Sequence, residues 1–95
     1  MPYVLSHFWP GATEEQYREQ LAKVHSNNGS ELPDGQIYHV AGPTDGGFLV
    51  VAVWDSEESA DRFVENALMP SLGQGGGFTT PPEEHAAKTV NVVSA

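Results

Sequence analysis

Residues 35–54 read Gly35-Gln36-Ile37-Tyr38-His39-Val40-Ala41-Gly42-Pro43-Thr44-Asp45-Gly46-Gly47-Phe48-Leu49-Val50-Val51-Ala52-Val53-Trp54. Two runs rich in branched and aromatic residues, Gly35–Ala41 and Phe48–Trp54, flank six residues dense in turn formers, the pattern of an antiparallel hairpin. The second run decides the fold. A sheet covered on one face alternates apolar and polar residues along each strand. Here Phe48, Val50, Ala52 and Trp54 point one way and Leu49, Val51 and Val53 the other, and all seven are apolar. The first run is similar, with Ile37, His39 and Ala41 opposite Tyr38 and Val40. For a hairpin symmetric about its turn, His39, Phe48, Val50 and Trp54 share one face.

Upstream, Tyr3–Trp9 (YVLSHFW) is a strand ended by Pro10-Gly11, and Thr13-Glu14-Glu15-Gln16 fits a capping box that opens a helix. Tyr17, Leu21 and Val24 form the apolar stripe of that helix, with Ala22 and His25 beside them, and Asn27-Asn28-Gly29 is the expected stop. Downstream, Asp55 or Ser56 caps a second helix whose buried face is Ala60, Phe63, Val64, Ala67 and Leu68, and Pro70 ends or bends it. Residues 73–82 are an irregular Gly/Pro-rich connection, Glu83-Glu84-His85 a solvated loop, and Lys88–Val93 a fourth strand. The order is β-α-β-β-α-β, a ferredoxin-like α+β domain over residues 1–95: a four-stranded antiparallel sheet with two helices on one face.

Two helices cover only one face, and the other is apolar as well. A bare apolar sheet is unfavourable on a monomer, and burial at about 25 cal/mol per Å² favours a second copy over it. A homodimer with sheets face to face is the expected assembly. The alternative is a monomer whose second face is covered by residues 73–82, where Phe78 is the one large apolar side chain.

The 95 residues carry 4 Lys+Arg against 13 Asp+Glu, a net charge of −9, and Arg18, Lys23, Arg62 and Lys88 are scattered. That balance excludes nucleic acid and anionic membrane surfaces as partners, since both need clustered basic groups. Cysteine is absent, so disulfides and thiolate chemistry are excluded. No apolar stretch is long enough to span a bilayer, and Met1-Pro2-Tyr3 lacks a signal-peptide pattern, so the expected location is cytoplasmic.

The stretch from His39 through Asp55-Ser56, continued by Phe63 to Leu68-Met69-Pro70, resembles the hairpin and second helix of the antibiotic-biosynthesis-monooxygenase-like proteins of the dimeric α/β-barrel superfamily. The element order extends the likeness over nearly the whole chain. The resemblance implies a dimeric barrel and, among other activities of that group, oxidation of electron-rich phenols without a cofactor, in a cavity between sheet and helices. Haem-degrading members use an Asn on strand 1 with a Trp and a His in or near helix 2. Here strand 1 offers His7, and helix 2 has neither Trp nor His. Cofactor-free members use Asn, Trp and Tyr, and Trp54, Tyr17, Tyr38 and Asn91 are of those types.

Among individual residues, His39 beside Trp54 is the leading candidate for a general base or an orienting group, since imidazole titrates near neutral pH. The alternative is a structural histidine whose ring bonds backbone groups. His7 and Trp9 repeat the pattern on strand 1, and His7 is a second catalytic candidate. Trp54, Tyr17, Tyr38, Trp9 and Phe63 are the expected substrate-binding residues, for a small apolar or aromatic molecule. His25 suits the C-terminal end of helix 1. The four histidines show no metal-ligand spacing, and no flavin, haem or phosphate motif is present, so no cofactor is expected. Two other functions compete: a non-catalytic homodimer that binds small molecules or another protein, and a tautomerase that uses Pro2 as its N-terminal amine.

Overall fold

The structure, a computed structural model, describes residues 2–24, 31–71, 77–78, 80–91 and 93. Strand β1 (Tyr3–Pro10) leads into helix α1 (Glu14–Val24), then β2 (Gln36–Thr44) and β3 (Gly47–Trp54). Helix α2 (Glu57–Phe63) continues through a π-helical segment, Val64–Leu68, and a final α-helical turn, Met69–Ser71, before β4 (Glu83–Lys88). The sheet order is β2-β3-β1-β4, and every neighbouring pair is antiparallel. This is the ferredoxin-like arrangement.

Both helix starts follow local chemistry. Gln16 N donates to Thr13 Oγ1 at 3.2 Å and Thr13 N to Gln16 Oε1 at 3.0 Å, which closes the capping box. Ser56 is the cap of α2, its hydroxyl accepting from Ser59 N at 3.2 Å. The end expected for α1 at 27–29 and the place of His25 lie outside the described residues.

Three expectations are corrected. The hairpin turn is tighter than six residues: Thr44 pairs with Gly47, so Asp45 and Gly46 alone make the connection, with Gly46 at φ 81°. Because both turn lengths are even, the facing of the strands is unchanged, and His39 pairs with Ala52. A bulge between Gln36 and Tyr38 then adds one residue to β2. It brings Gln36 to the helix side, 8% exposed, and leaves Ile37 outside at 51%.

The fourth strand is Glu83–Lys88, not Lys88–Val93, and it contains the Glu83-Glu84-His85 stretch expected as a loop. Every residue of β4 is exposed. Its sequence has little intrinsic strand character, so pairing with β1, from Tyr3 with Lys88 to Phe8 with Glu83, makes it a strand.

The core lies between sheet and helices. Leu5, Ala52, Trp54 and Ala60 form one cluster, and Trp9, Leu68 and Phe78 another. Trp9 and Trp54 are each 1% exposed; burial at this level stabilises by about 5 kcal/mol gross per indole. Phe78 therefore packs on the helix side and does not cover the opposite face. On that face Tyr38 is 62%, Val40 53% and Leu49 39% exposed, an apolar surface on one side of the hairpin.

Candidate functional site

Between sheet and helices lies a cavity of about 60 Å³. Leu5, His7 and Trp9 of β1, Gln36 and His39 of β2, and Val50, Ala52 and Trp54 of β3 form its floor. Tyr17, Gln20 and Leu21 of α1, with Phe63, Leu68 and Phe78, close it from above. The volume is room for a few waters, and less than half of the roughly 150 Å³ that holds a benzene ring in an apolar protein cavity.

The lining is mostly apolar and aromatic. Trp9 and Phe78 stack at 4.1 Å with their planes 16° apart, Tyr17 stacks on Phe48 at 4.8 Å, and Phe63 leans on Trp54 at 5.1 Å. The π-helical segment delivers Leu68 to this wall: Met69 N donates to Val64 O, five residues back. The wider turn sits just before Pro70, whose ring would clash with the Asn66 carbonyl in a regular α-helix.

Against this background the polar groups stand out. Tyr17 Oη and His39 Nε2 are 2.8 Å apart. Burial raises the Tyr17 pKa above its ordinary 10.0, slightly countered by Arg18, and burial lowers that of His39 below 6.5. Both groups are therefore neutral near pH 7. The hydroxyl and the ring nitrogen share one hydrogen bond, in which the tautomer of the imidazole sets which of the two donates. Trp54 Nε1 and Gln36 Oε1 are buried and have no hydrogen-bond partner among the described residues. One is a donor and the other an acceptor, and their residues are paired across β2 and β3. On the opposite wall His7 Nε2 lies 2.9 Å from Glu84 Oε1.

Of the candidate residues, His39, His7, Trp54, Tyr17, Trp9 and Phe63 all line this cavity. Tyr38 does not: it projects from the other face of the sheet. Asn91 is exposed and Pro2 is not part of the lining; the Pro2 carbonyl accepts from Thr89 N at 3.0 Å and from Thr89 Oγ1 at 2.8 Å. Among the described residues, no cluster of three or more His, Cys, Asp or Glu could hold a metal, and no helix is long and apolar enough to cross a membrane.

Four lining or supporting residues escaped the pattern analysis. Gln36 is hidden by the bulge, Glu84 by the register of β4, and Phe78 by its irregular segment. Gln20 carried a signal, since it falls on the Tyr17–Leu21 stripe at helical spacing and is 3% exposed. It donates to Ser71 Oγ and accepts from Phe78 N at 3.3 Å, so it ties the helices to the segment that brings Phe78 in.

The same architecture recurs in solved structures. A candidate antibiotic biosynthesis monooxygenase from Chloroflexus aurantiacus superposes with a TM-score of 0.64 at 19% identity, over 99% of this chain and 98% of that one. The Rv0793 protein of Mycobacterium tuberculosis gives 0.63 at 18%, over 98% of each chain. A candidate antibiotic biosynthesis monooxygenase from Deinococcus radiodurans gives 0.62 at 15%, over 100% of this chain and 98% of that one. The chain has an antibiotic-biosynthesis-monooxygenase-like fold. No family model and no curated protein matches the sequence.

Proposed function

We propose that this chain is a monooxygenase-like enzyme that oxidises an aromatic or polyketide-type phenol without a cofactor, in the cavity between sheet and helices. One observation carries the reading: an aromatic cavity holds a neutral Tyr17–His39 pair at 2.8 Å and, three residues earlier on β2, Gln36, which pairs across the sheet with Trp54; Gln36 Oε1 and Trp54 Nε1 have no partner among the described residues. Such a cavity strips water from a ring and offers a few directed polar contacts. The chemistry is the substrate's own. Loss of the phenolic proton leaves an electron-rich phenolate that can pass one electron to dioxygen. The resulting superoxide and phenoxyl radical combine at a ring carbon, and elimination of water leaves a quinone-type carbonyl. His39, as deprotonating or orienting group, and Tyr17 hold the phenolic oxygen; Trp54, Trp9 and Phe63 enclose the ring. A ring needs more room than the cavity of about 60 Å³ offers, so its entry requires the lining side chains to part.

The protein would act as a homodimer through the outer sheet face, where Tyr38, Val40 and Leu49 are exposed. The reading is tested with an oxygen electrode and an anthrone-like substrate: oxygen is consumed, and His39→Ala slows consumption by about tenfold or more. Steady oxygen traces across a panel of phenols that still bind would overturn it in favour of a non-catalytic small-molecule-binding dimer.

A further inference from the structure

The two histidines of the cavity have different partners. His39 on β2 faces the Tyr17 hydroxyl, a neutral group that cannot offset a charge on the ring. His7 on β1 is 8% exposed, lines the cavity, and places Nε2 2.9 Å from the carboxylate of Glu84. The β1–β4 register sets His7 directly opposite Glu84, so the pair is built into the sheet, and the Glu84 side chain is 51% exposed. His7 thus has the cavity on one side and, through Glu84, solvent on the other. The groups around it are Tyr17 and His39 across the cavity, the Trp9 ring with its centroid 5.8 Å from that of the imidazole, Glu83, His85 and Lys88 along β4, and Tyr3, Asp61 and Glu65, which share a cleft with Glu84.

We propose that His7, oriented by Glu84, is the base that takes the proton from a phenol in the cavity, while His39 and Tyr17 orient the phenolic oxygen. The inference rests on the phenol-oxidising reading above and assigns its proton transfer. With Glu84 accepting from Nε2–H, the His7 lone pair sits on Nδ1. The phenol O–H bond breaks, its electron pair stays on oxygen as phenolate, and the proton becomes the Nδ1–H of an imidazolium stabilised by the Glu84 carboxylate. That proton returns to the oxygen that leaves as water. A carboxylate behind an imidazole fixes the tautomer and supports its cation, which a tyrosine behind His39 does not do.

The test is NMR of the histidine ring nitrogens, which reads the tautomer, together with the visible absorption of bound p-nitrophenol, whose phenolate alone is yellow. Glu84→Gln takes the carboxylate away from Nε2, which mixes the two His7 tautomers in the ring-nitrogen spectrum and leaves that of His39 in place. It also lowers the ionised fraction of the bound probe several-fold, and His7→Asn lowers it further. An unchanged His7 ring-nitrogen spectrum in Glu84→Gln overturns the pair. Probe ionisation that survives His7→Asn and is lost in His39→Asn overturns the assignment of the base. A probe that binds no variant overturns the phenol reading and the base role with it, while the His7 ring-nitrogen spectrum still decides whether the His7–Glu84 pair exists.

Discussion

His39 shows how one buried side chain links the site to stability. Its pKa in the folded chain lies below the ordinary 6.5 because burial disfavours the imidazolium. As pH falls through 6.5 the unfolded chain takes up a proton that the folded chain resists. The contribution of His39 is therefore complete above that value and is lost as pH falls towards the lowered folded pKa. Urea midpoints measured from about pH 7.5 to about pH 5 should fall more steeply for the natural chain than for His39→Leu. Gln36 makes the opposite case. Its Oε1 is buried with no partner among the described residues, a cost of about 1 kcal/mol or more. Gln36→Leu should raise stability by about 1 kcal/mol and weaken phenol binding by about tenfold, read by urea unfolding and by calorimetric titration. A variant that loses stability would mean that the amide is engaged within the fold.

Elements bring these side chains together by unequal means. Helices α1 and α2 start where their caps dictate, and the Tyr17 and Phe63 positions follow from helical spacing, whereas Leu68 is placed by the π-helical segment. The segment carrying Phe78 has no such periodicity and depends on α1. Gly77 N donates to Glu19 Oε2 at 2.9 Å, Phe78 N to Gln20 Oε1, and Gly77 has φ 78°. A Cβ there would meet Gln20 Oε1 at 2.5 Å and Gln20 Cα at 3.3 Å. Gly77→Ala therefore combines a left-handed backbone with a clash against a buried side chain. It should lower Tm by on the order of 10 °C in a thermal scan. Composition alone marks residues 73–82 as irregular; that Phe78 closes the cavity depends on contacts with residues nearly sixty positions away in the chain.

For the whole molecule the decisive feature is a sheet that is apolar on both sides. One side meets α1, α2 and Phe78; the other leaves Tyr38, Val40 and Leu49 exposed beside half-buried Val51 and Val53. A second copy over that face would remove this surface from water. Val40→Asp places a charge at its centre, 53% exposed in the single chain and so tolerated by the fold. Sedimentation should show a dimer for the natural chain and a folded monomer for Val40→Asp at micromolar concentration. A natural chain that sediments as a monomer would sink the dimer.

The sequence by itself determined the element order, the capping box of α1, the start of α2 at Asp55 or Ser56, the two apolar faces of β3 and the common facing of His39 and Trp54. Each of these rests on periodicity or capping within a short stretch of chain, where backbone geometry leaves few choices. Tertiary structure alone decided that Glu83–Lys88 becomes the fourth strand, that a bulge turns Gln36 inward and Ile37 outward, and that Glu84 stands behind His7. These depend on strand pairing and register, which are set by packing between segments far apart in the chain and leave no local pattern to read.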